Sequence, residues 1–183
     1  RDNLDPDMYP DVSWQDEVLR NTSFKQSYYV SGRGGGSLAR YFLSLGGNSE
    51  TAAYKYDKSS PYASNVGYNT YNFRTNLDIN LTKTTTVYFG SDGHLAINNQ
   101  PGTANTDHIW MAQSQLNPLY LPTIYSNGMY PAAGEGADSS PYVMINQTGK
   151  RTSETYKGKA TLALNQDLSS ILDGLKIRAQ GAY

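Results

Sequence analysis

The stretch Tyr71-Asn72-Phe73-Arg74-Thr75-Asn76-Leu77-Asp78-Ile79-Asn80-Leu81 alternates strictly between two kinds of side chain. Its odd-numbered positions carry aromatic residues, aliphatic residues or threonine, and its even-numbered positions carry asparagine, arginine or aspartate. Successive side chains of a β-strand point to opposite faces, so this stretch predicts a strand with one apolar and one strongly polar face. About ten residues is also the length that a tilted strand needs to cross a bilayer.

Other segments of the chain repeat this alternation less regularly, and together they predict about six strands. The additional segments are residues 24–32, 37–46, 86–97, 157–168 and 175–183.

The links between these segments alternate between short and long. Residues 32–36, 82–84 and 169–174 are compatible with tight turns, whereas residues 47–69 and 98–155 form long links. A compact domain rarely contains structureless links of that length. Outer-membrane barrels, however, combine short periplasmic turns with long extracellular loops. The pattern therefore predicts an all-β chain, an antiparallel transmembrane β-barrel segment with long extracellular loops.

The composition agrees with such a wall. Only 38% of the residues are hydrophobic, and that share includes 16 tyrosines. A wall between lipid and water needs only half of its side chains to be apolar. The net charge of −1 gives no reason to expect a nucleic-acid partner, and the absence of cysteine excludes thiolate sites and disulfides.

Two short helices are predicted outside the strands. Ser13 is placed to cap a helix over residues 13–20, with Asp16 at the reciprocal capping position. Asp107 is placed to cap a helix that continues to Leu116 and stops before Pro118.

Several short motifs occur in a fixed order along the chain. They are Trp14-Gln15-Asp16-Glu17, Val30-Ser31-Gly32, Arg40-Tyr41-Phe42-Leu43-Ser44-Leu45-Gly46, Tyr71 to Asp78 as quoted above, and Leu172-Asp173-Gly174-Leu175-Lys176. This succession resembles the early barrel of SusC/RagA-type TonB-dependent outer-membrane transporters of Bacteroidota, and the resemblance spans nearly the whole chain.

The resemblance implies a barrel of about 22 strands with a plugged lumen. It also implies multi-pass insertion in outer-membrane lipid, energy delivered by TonB through a plug domain, a SusD-like surface lipoprotein as partner, and oligosaccharide or peptide cargo. On this interpretation residues 1–183 are a partial barrel domain, and we expect the plug domain and the remaining strands to lie outside this sequence.

Catalytic and metal-binding motifs are not recognised. His94 and His108 have no evident set of further ligands, and the acidic residues Asp2, Asp5, Asp7 and Asp11 lack the spacing of a calcium loop. The Gly-rich segment 32–36 lacks the Lys-Ser/Thr pair and the helix that a phosphate loop requires. No nucleophile elbow or zinc-protease motif is present. We therefore expect no enzymatic activity, no cofactor and no metal site.

Aromatic residues fill the two long links: Tyr54, Tyr56, Tyr62, Tyr68, Trp110, Tyr120, Tyr125, Tyr130 and Tyr142. Aromatic rings suit the apolar C–H faces of sugars, so Trp110, Tyr125 and Tyr130 are the candidate substrate-binding residues. The alternative for these rings is packing within the loops or contact with the partner lipoprotein. Tyr41, Tyr71 and Tyr183 lie at strand ends and fit the interfacial aromatic girdle better.

A second hypothesis comes from another class of protein. Alternating strands also occur in sandwiches, so a secreted, Tyr-rich β-sandwich that binds carbohydrate without transporting it remains open at this point. Such a fold packs the apolar faces of two sheets against each other.

Overall fold

Six strands in the computed structural model form one sheet in which each strand lies beside its neighbours in sequence. The strands are β1 (Lys25–Gly35), β2 (Ala39–Thr51), β3 (Gly67–Asn80), β4 (Thr85–Pro101), β5 (Lys150–Asp167) and β6 (Lys176–Ala182). The structure describes residues 5–60, 66–103, 105–132 and 136–183, so Asp2 and Tyr62 fall outside it. Within the described residues the sheet is open, with β1 and β6 as its edges. The prediction of six antiparallel strands is confirmed, and the sheet does not close.

The strands are longer than the sequence pattern predicts. The long links shrink from residues 47–69 and 98–155 to residues 52–66 and 102–149. Hydrogen bonds between strands continue past the alternating segments: Thr51 N–H donates to the Phe24 carbonyl at 3.0 Å, and Thr152 Oγ1 donates to Asn99 Oδ1 at 2.8 Å. The predicted loop boundaries were wrong because backbone pairing continues where the side-chain alternation fades.

Side-chain contacts between neighbouring strands define the two faces of the sheet. His94 Nδ1 lies 2.6 Å from Asn72 Oδ1, and Tyr88 Oη donates to Asn76 Oδ1 at 3.2 Å, so even-numbered residues of β3 and β4 share a face. Further bonds on this face join Ser27 to Asn48, Asn48 to Thr70, and Asn165 to Thr86. We call it the polar face; it consists of odd-numbered residues of β1 and β5 and even-numbered residues of the other strands.

The opposite side, which we call the apolar face, carries no Asp, Glu, Lys or Arg over residues 26–49, 69–97 and 156–182. Its large side chains are open to the surroundings; Leu43 is 51% exposed and Leu162 is 58% exposed. Three of its rings, those of Tyr28, Tyr41 and Phe73, lie over glycines of the adjacent strand. A Cβ at Gly47 would stand 2.5 Å from the Tyr28 ring, and a Cβ at Gly93 would overlap the Phe73 ring. Glycine is needed there because the ring occupies the space of a side chain.

The chain divides into two compact units. The sheet unit comprises residues 26–49, 69–97 and 154–183, and the loop unit comprises residues 1–25, 50–68 and 98–153. The loop unit contains three helices, α1 (Trp14–Val18), α2 (Asp107–Gln115) and α3 (Pro141–Asn146). They surround a small core that contains Val18, Tyr54, Ile109, Ala112, Met144 and Ile145. The long links are therefore folded around a core of their own.

The helix predictions are confirmed in position but not in detail. α1 spans only Trp14–Val18, and Ser13 Oγ donates to the Asp16 carboxylate at 2.7 Å without capping the helix. Thr106, not Asp107, occupies the N-cap of α2. α3 was not predicted, although Ser140 caps it by accepting from Val143 N–H at 3.4 Å. None of the helices in the described part of the chain has the length and apolar character that crossing a membrane requires.

The ring-on-glycine contact at Gly93 generates a testable expectation. Gly93→Val should destabilise the protein by about 1–3 kcal/mol, because the new side chain overlaps the Phe73 ring. Gly158→Val is the matched control: Gly158 belongs to the same face, and a Cβ there would meet nothing within 4 Å. Urea unfolding of the full-length protein, followed by tryptophan fluorescence, measures both. Equal unfolding midpoints for the two variants would contradict the contact.

Candidate functional site

The three candidate aromatic residues all belong to the loop unit. Helix α2 buries Ile109 and Ala112 in the core, one turn apart on the same side of the helix. Trp110 lies off this buried stripe, and its side chain is 44% exposed. The helix therefore holds an indole ring at the surface on a rigid support.

Trp110 packs against a core tyrosine. The ring centroids of Trp110 and Tyr54 are 5.2 Å apart at an interplanar angle of 46°. Tyr54 is only 6% exposed, and burial raises its pKa to about 12, with the Asp107 carboxylate adding to the shift and a hydrogen bond from the Trp110 side chain opposing it. Tyr54 is thus a neutral, buried ring against which the exposed indole of Trp110 packs.

Tyr130 has a comparable support. Its ring stacks on Tyr142 with centroids 6.0 Å apart at 21°, and Tyr142 Oη donates to Asp57 Oδ2 at 3.0 Å. Burial, followed by the bond to Asp57, raises the pKa of Tyr142 above its ordinary value. In return the pKa of Asp57 is lowered, first by the hydrogen bonds from Ser59 and then by the one from Tyr142. This carboxylate stays ionised and keeps the Tyr142 ring in position.

Tyr125 is placed differently. It is half-buried at a turn in which its N–H donates to the Met129 carbonyl at 2.9 Å and its own carbonyl accepts from Gly128 N–H at 2.8 Å. Within the described ranges Tyr125 has no ring partner, and the three candidates make no ring contact with one another. Trp110 therefore packs against Tyr54 and Tyr130 against Tyr142, whereas Tyr125 has no such ring contact in the described part of the chain.

Asn146 at the end of α3 is a supporting residue that the sequence did not reveal. It is 3% exposed, its Oδ1 accepts from Asp57 N–H at 2.7 Å, and its Nδ2 donates to the Tyr142 carbonyl at 3.2 Å. The Asn146 carbonyl also accepts from Ser60 Oγ. One buried amide thus ties residues 57–60 to the helix that carries Tyr142. Nothing in the local sequence signals this role, because the partners lie far apart along the chain.

A second candidate site is a hollow of about 730 Å³ on the polar face of the sheet unit. Charged and imidazole side chains from three strands line it: Arg74 of β3, Asp92 and His94 of β4, and Lys157 and Lys159 of β5. Asp92 and His94 lie on the same face, because they are two residues apart in β4. The described ranges contain no group of three or more His, Cys, Asp or Glu residues that could hold a metal ion.

These features define a class of fold: an open antiparallel meander with an uncharged apolar face, a hydrogen-bonded polar face and folded long links. Among solved structures, the chain is similar to that of the RagAB peptide importer in its closed-closed state, with a TM-score of 0.61 and 16% sequence identity. The match covers 99% of this chain and 20% of the other, so the chain spans about a fifth of the length of that structure. At this identity the likeness shows a shared fold. No protein-family model matches the chain, and neither does any curated protein sequence.

The role of Asn146 can be measured by hydrogen exchange. Asn146→Ala removes the acceptor of Asp57 N–H, which should cost about 1–3 kcal/mol and accelerate exchange across residues 57–60 roughly ten- to hundredfold. Asn127→Ala is the control, since exposed Asn127 also accepts from a backbone N–H, that of Met129, at 2.9 Å. Water can replace that exposed bond. The assigned role would be wrong if mass spectrometry found unchanged exchange at residues 57–60 in Asn146→Ala.

Proposed function

We propose that this chain is a wall segment of an outer-membrane β-barrel importer. The single observation that carries the proposal is the exposed apolar face, which spans six strands without an acidic or basic residue over residues 26–49, 69–97 and 156–182 and is backed by a face rich in asparagine, lysine and arginine. Lipid on one side and water on the other is the environment that satisfies both faces.

The connection lengths support an orientation. In an antiparallel meander, alternate connections fall at the same end of the sheet, and here residues 52–66 and 102–149 are long whereas residues 36–38, 81–84 and 168–175 are short. Short turns on the periplasmic side and long loops outside are typical of outer-membrane barrels. The long links then meet the extracellular medium, where cargo and a surface partner would be encountered.

Further properties of the proposed importer rest on the SusC/RagA resemblance and on the likeness to a solved peptide importer. We propose that the complete barrel has about 22 strands, that it acts with a SusD-like lipoprotein, and that TonB drives it through a plug domain. Peptide or oligosaccharide is the proposed cargo. We propose that the protein acts in transport and not in catalysis. Trp110, Tyr125 and Tyr130 are the proposed contacts to this cargo, because two of them present rings on rigid tyrosine supports.

The carbohydrate-binding sandwich is less favoured. A sandwich covers the apolar face of one sheet with the apolar face of another. The described residues contain one sheet, and the apolar side chains on it remain about half exposed. No specific observation favours this candidate over the barrel wall.

Leu77 tests the assignment of the lipid-facing side. Leu77 has the parity of the apolar face, so Leu77→Arg near the bilayer midplane should destabilise the inserted protein by about 2–4 kcal/mol. Asn76→Arg, on the polar face, should be far milder. Both are measured as the amount of folded protein recovered from the outer membrane of cells that express the full-length protein.

Two results would count against the barrel. Equal recovery of the Leu77 and Asn76 variants would reject the assigned faces, and recovery of the unaltered protein in the soluble periplasmic fraction would reject the membrane location itself.

Trp110 tests the cargo contacts. Trp110→Ala should weaken cargo binding by about three- to tenfold, the loss expected for one aromatic contact. Tyr120→Ala is the control, because Tyr120 is an exposed aromatic residue of the same long link outside the proposed contacts. Binding of peptide and oligosaccharide mixtures to the detergent-purified protein gives the comparison. A loss of the same size in both variants would mean that Trp110 has no special role.

A further inference from the structure

We propose that the hollow on the polar face binds the carboxylate group of an acidic solute, through Arg74, Lys157 and Lys159. This inference rests on the proposed function, because it assigns a substrate class to the water-facing side of the importer wall.

The pairing of the strands brings these residues together. Asn72 bonds His94 and the Phe73 ring lies over Gly93, so the next antiparallel pair along β3 and β4 is Arg74 opposite Asp92. On the other side of β4, bonds join Thr86 to Asn165 and Thr85 to Gln166.

Counting along the antiparallel strands β4 and β5 from the pair Thr86 and Asn165 places Asp92 opposite Lys159 and His94 opposite Lys157. Two adjacent rows therefore cross the hollow. One row contains Arg74, Asp92 and Lys159, and the other contains Asn72, His94 and Lys157.

The side chains of the three cations in this hollow have no partner in the described part of the chain. Neutral side chains of the polar face bond across strands, as Asn48 does with Ser27 and Thr70, and outside the hollow Lys176 forms an ion pair with Asp167 at 4.0 Å. The side chains of Arg74, Lys157 and Lys159 make no hydrogen bond or ion pair with any residue that the structure describes. The face satisfies its neutral groups internally and leaves these three positive groups available.

The charge balance points to an anion. The hollow holds three fixed positive charges against one carboxylate, that of Asp92. The sheet unit as a whole carries eight basic and five acidic residues, although the complete chain has a net charge of −1. A concave surface lined by one sign of charge concentrates solutes of the opposite sign.

The geometry of the groups favours a carboxylate over a bare ion. The planar guanidinium of Arg74 can donate two parallel hydrogen bonds to a carboxylate, while lysines act as compact point charges. Asp92 lies between Arg74 and Lys159, so these two cations favour carboxylates that are spaced along a solute, one on either side of Asp92, over a compact polyanion such as a polyphosphate. A volume of about 730 Å³ accommodates a solute of several residues or sugar units.

The test compares two peptides that differ only in charge. Calorimetric titration of the full-length protein in detergent with tetraglutamate and with tetraglutamine should show at least about tenfold tighter binding of tetraglutamate, and the preference should shrink as salt is added. The triple change Arg74→Gln, Lys157→Gln and Lys159→Gln should abolish the preference. The Arg40→Gln control, on the same face but outside this hollow, should keep it. Lys157→Arg with Lys159→Arg should also keep it.

Two outcomes would overturn the inference: equal affinity of the unaltered protein for the two peptides, or a preference that survives in the triple variant.

Titration with tetragalacturonate tests whether the carboxylate can come from an acidic glycan. Binding of this sugar that is lost in the triple variant supports the same site with an acidic glycan as solute. Uptake of tetraglutamine by cells is measured in parallel. Retained uptake without a charge preference rejects the carboxylate site alone, whereas a protein found in the soluble fraction rejects the proposed function.

Discussion

Six neighbouring strands present side chains such as Leu43, Phe73 and Leu162 on one face, each about half exposed. A side chain of this size gains about 1.5–3 kcal/mol when it is removed from water, so a face built from many of them must be covered. The same face carries no acidic or basic group over residues 26–49, 69–97 and 156–182, and rings from adjacent strands cover three of its glycines, Gly34, Gly47 and Gly93. The cover must therefore be apolar, and this requirement is the basis for proposing that the face contacts lipid.

The backbone of the loop unit also needs hydrogen-bond partners. A link as long as residues 102–149 contains many backbone groups that need hydrogen-bond partners. Helices α2 and α3 satisfy part of these groups locally, and their side chains Ile109, Met144 and Ile145 are buried in the core of the loop unit. The buried amide of Asn146 then joins two distant segments. The rings of Trp110 and Tyr130 pack on tyrosines of this unit, and a ring held by such contacts loses less conformational entropy on binding than an unsupported one does.

On the polar face, two kinds of polar group coexist. Asparagine, serine and threonine side chains bond across strands and stabilise the pairing register. The cations around Asp92 do not take part in these bonds, although they stand in the same rows. Neutral groups of a water-facing wall can be satisfied within the wall, whereas unpaired cations keep a long-range attraction for anions. The same strands can therefore carry both the side-chain hydrogen bonds that stabilise the sheet and a surface that attracts anions.

The amino-acid sequence by itself determined the strands and their faces, because a period of two in side-chain polarity is a local property that each strand records independently. The stretch from Tyr71 to Leu81 is sufficient to distinguish the apolar face from the polar face, and the lengths of the links indicate the antiparallel order. The ends of β2 and β5 were not predictable, since backbone pairing extends beyond the alternating residues.

Only the tertiary structure decided which residues meet. The packing of Trp110 on Tyr54, the bonds of Asn146 to the segment that contains Asp57, and the placement of Arg74 and Lys159 on either side of Asp92 all depend on strand register and helix packing. These contacts join residues that are far apart in the chain. Their cause is the shared burial of several segments at once, which no local pattern encodes.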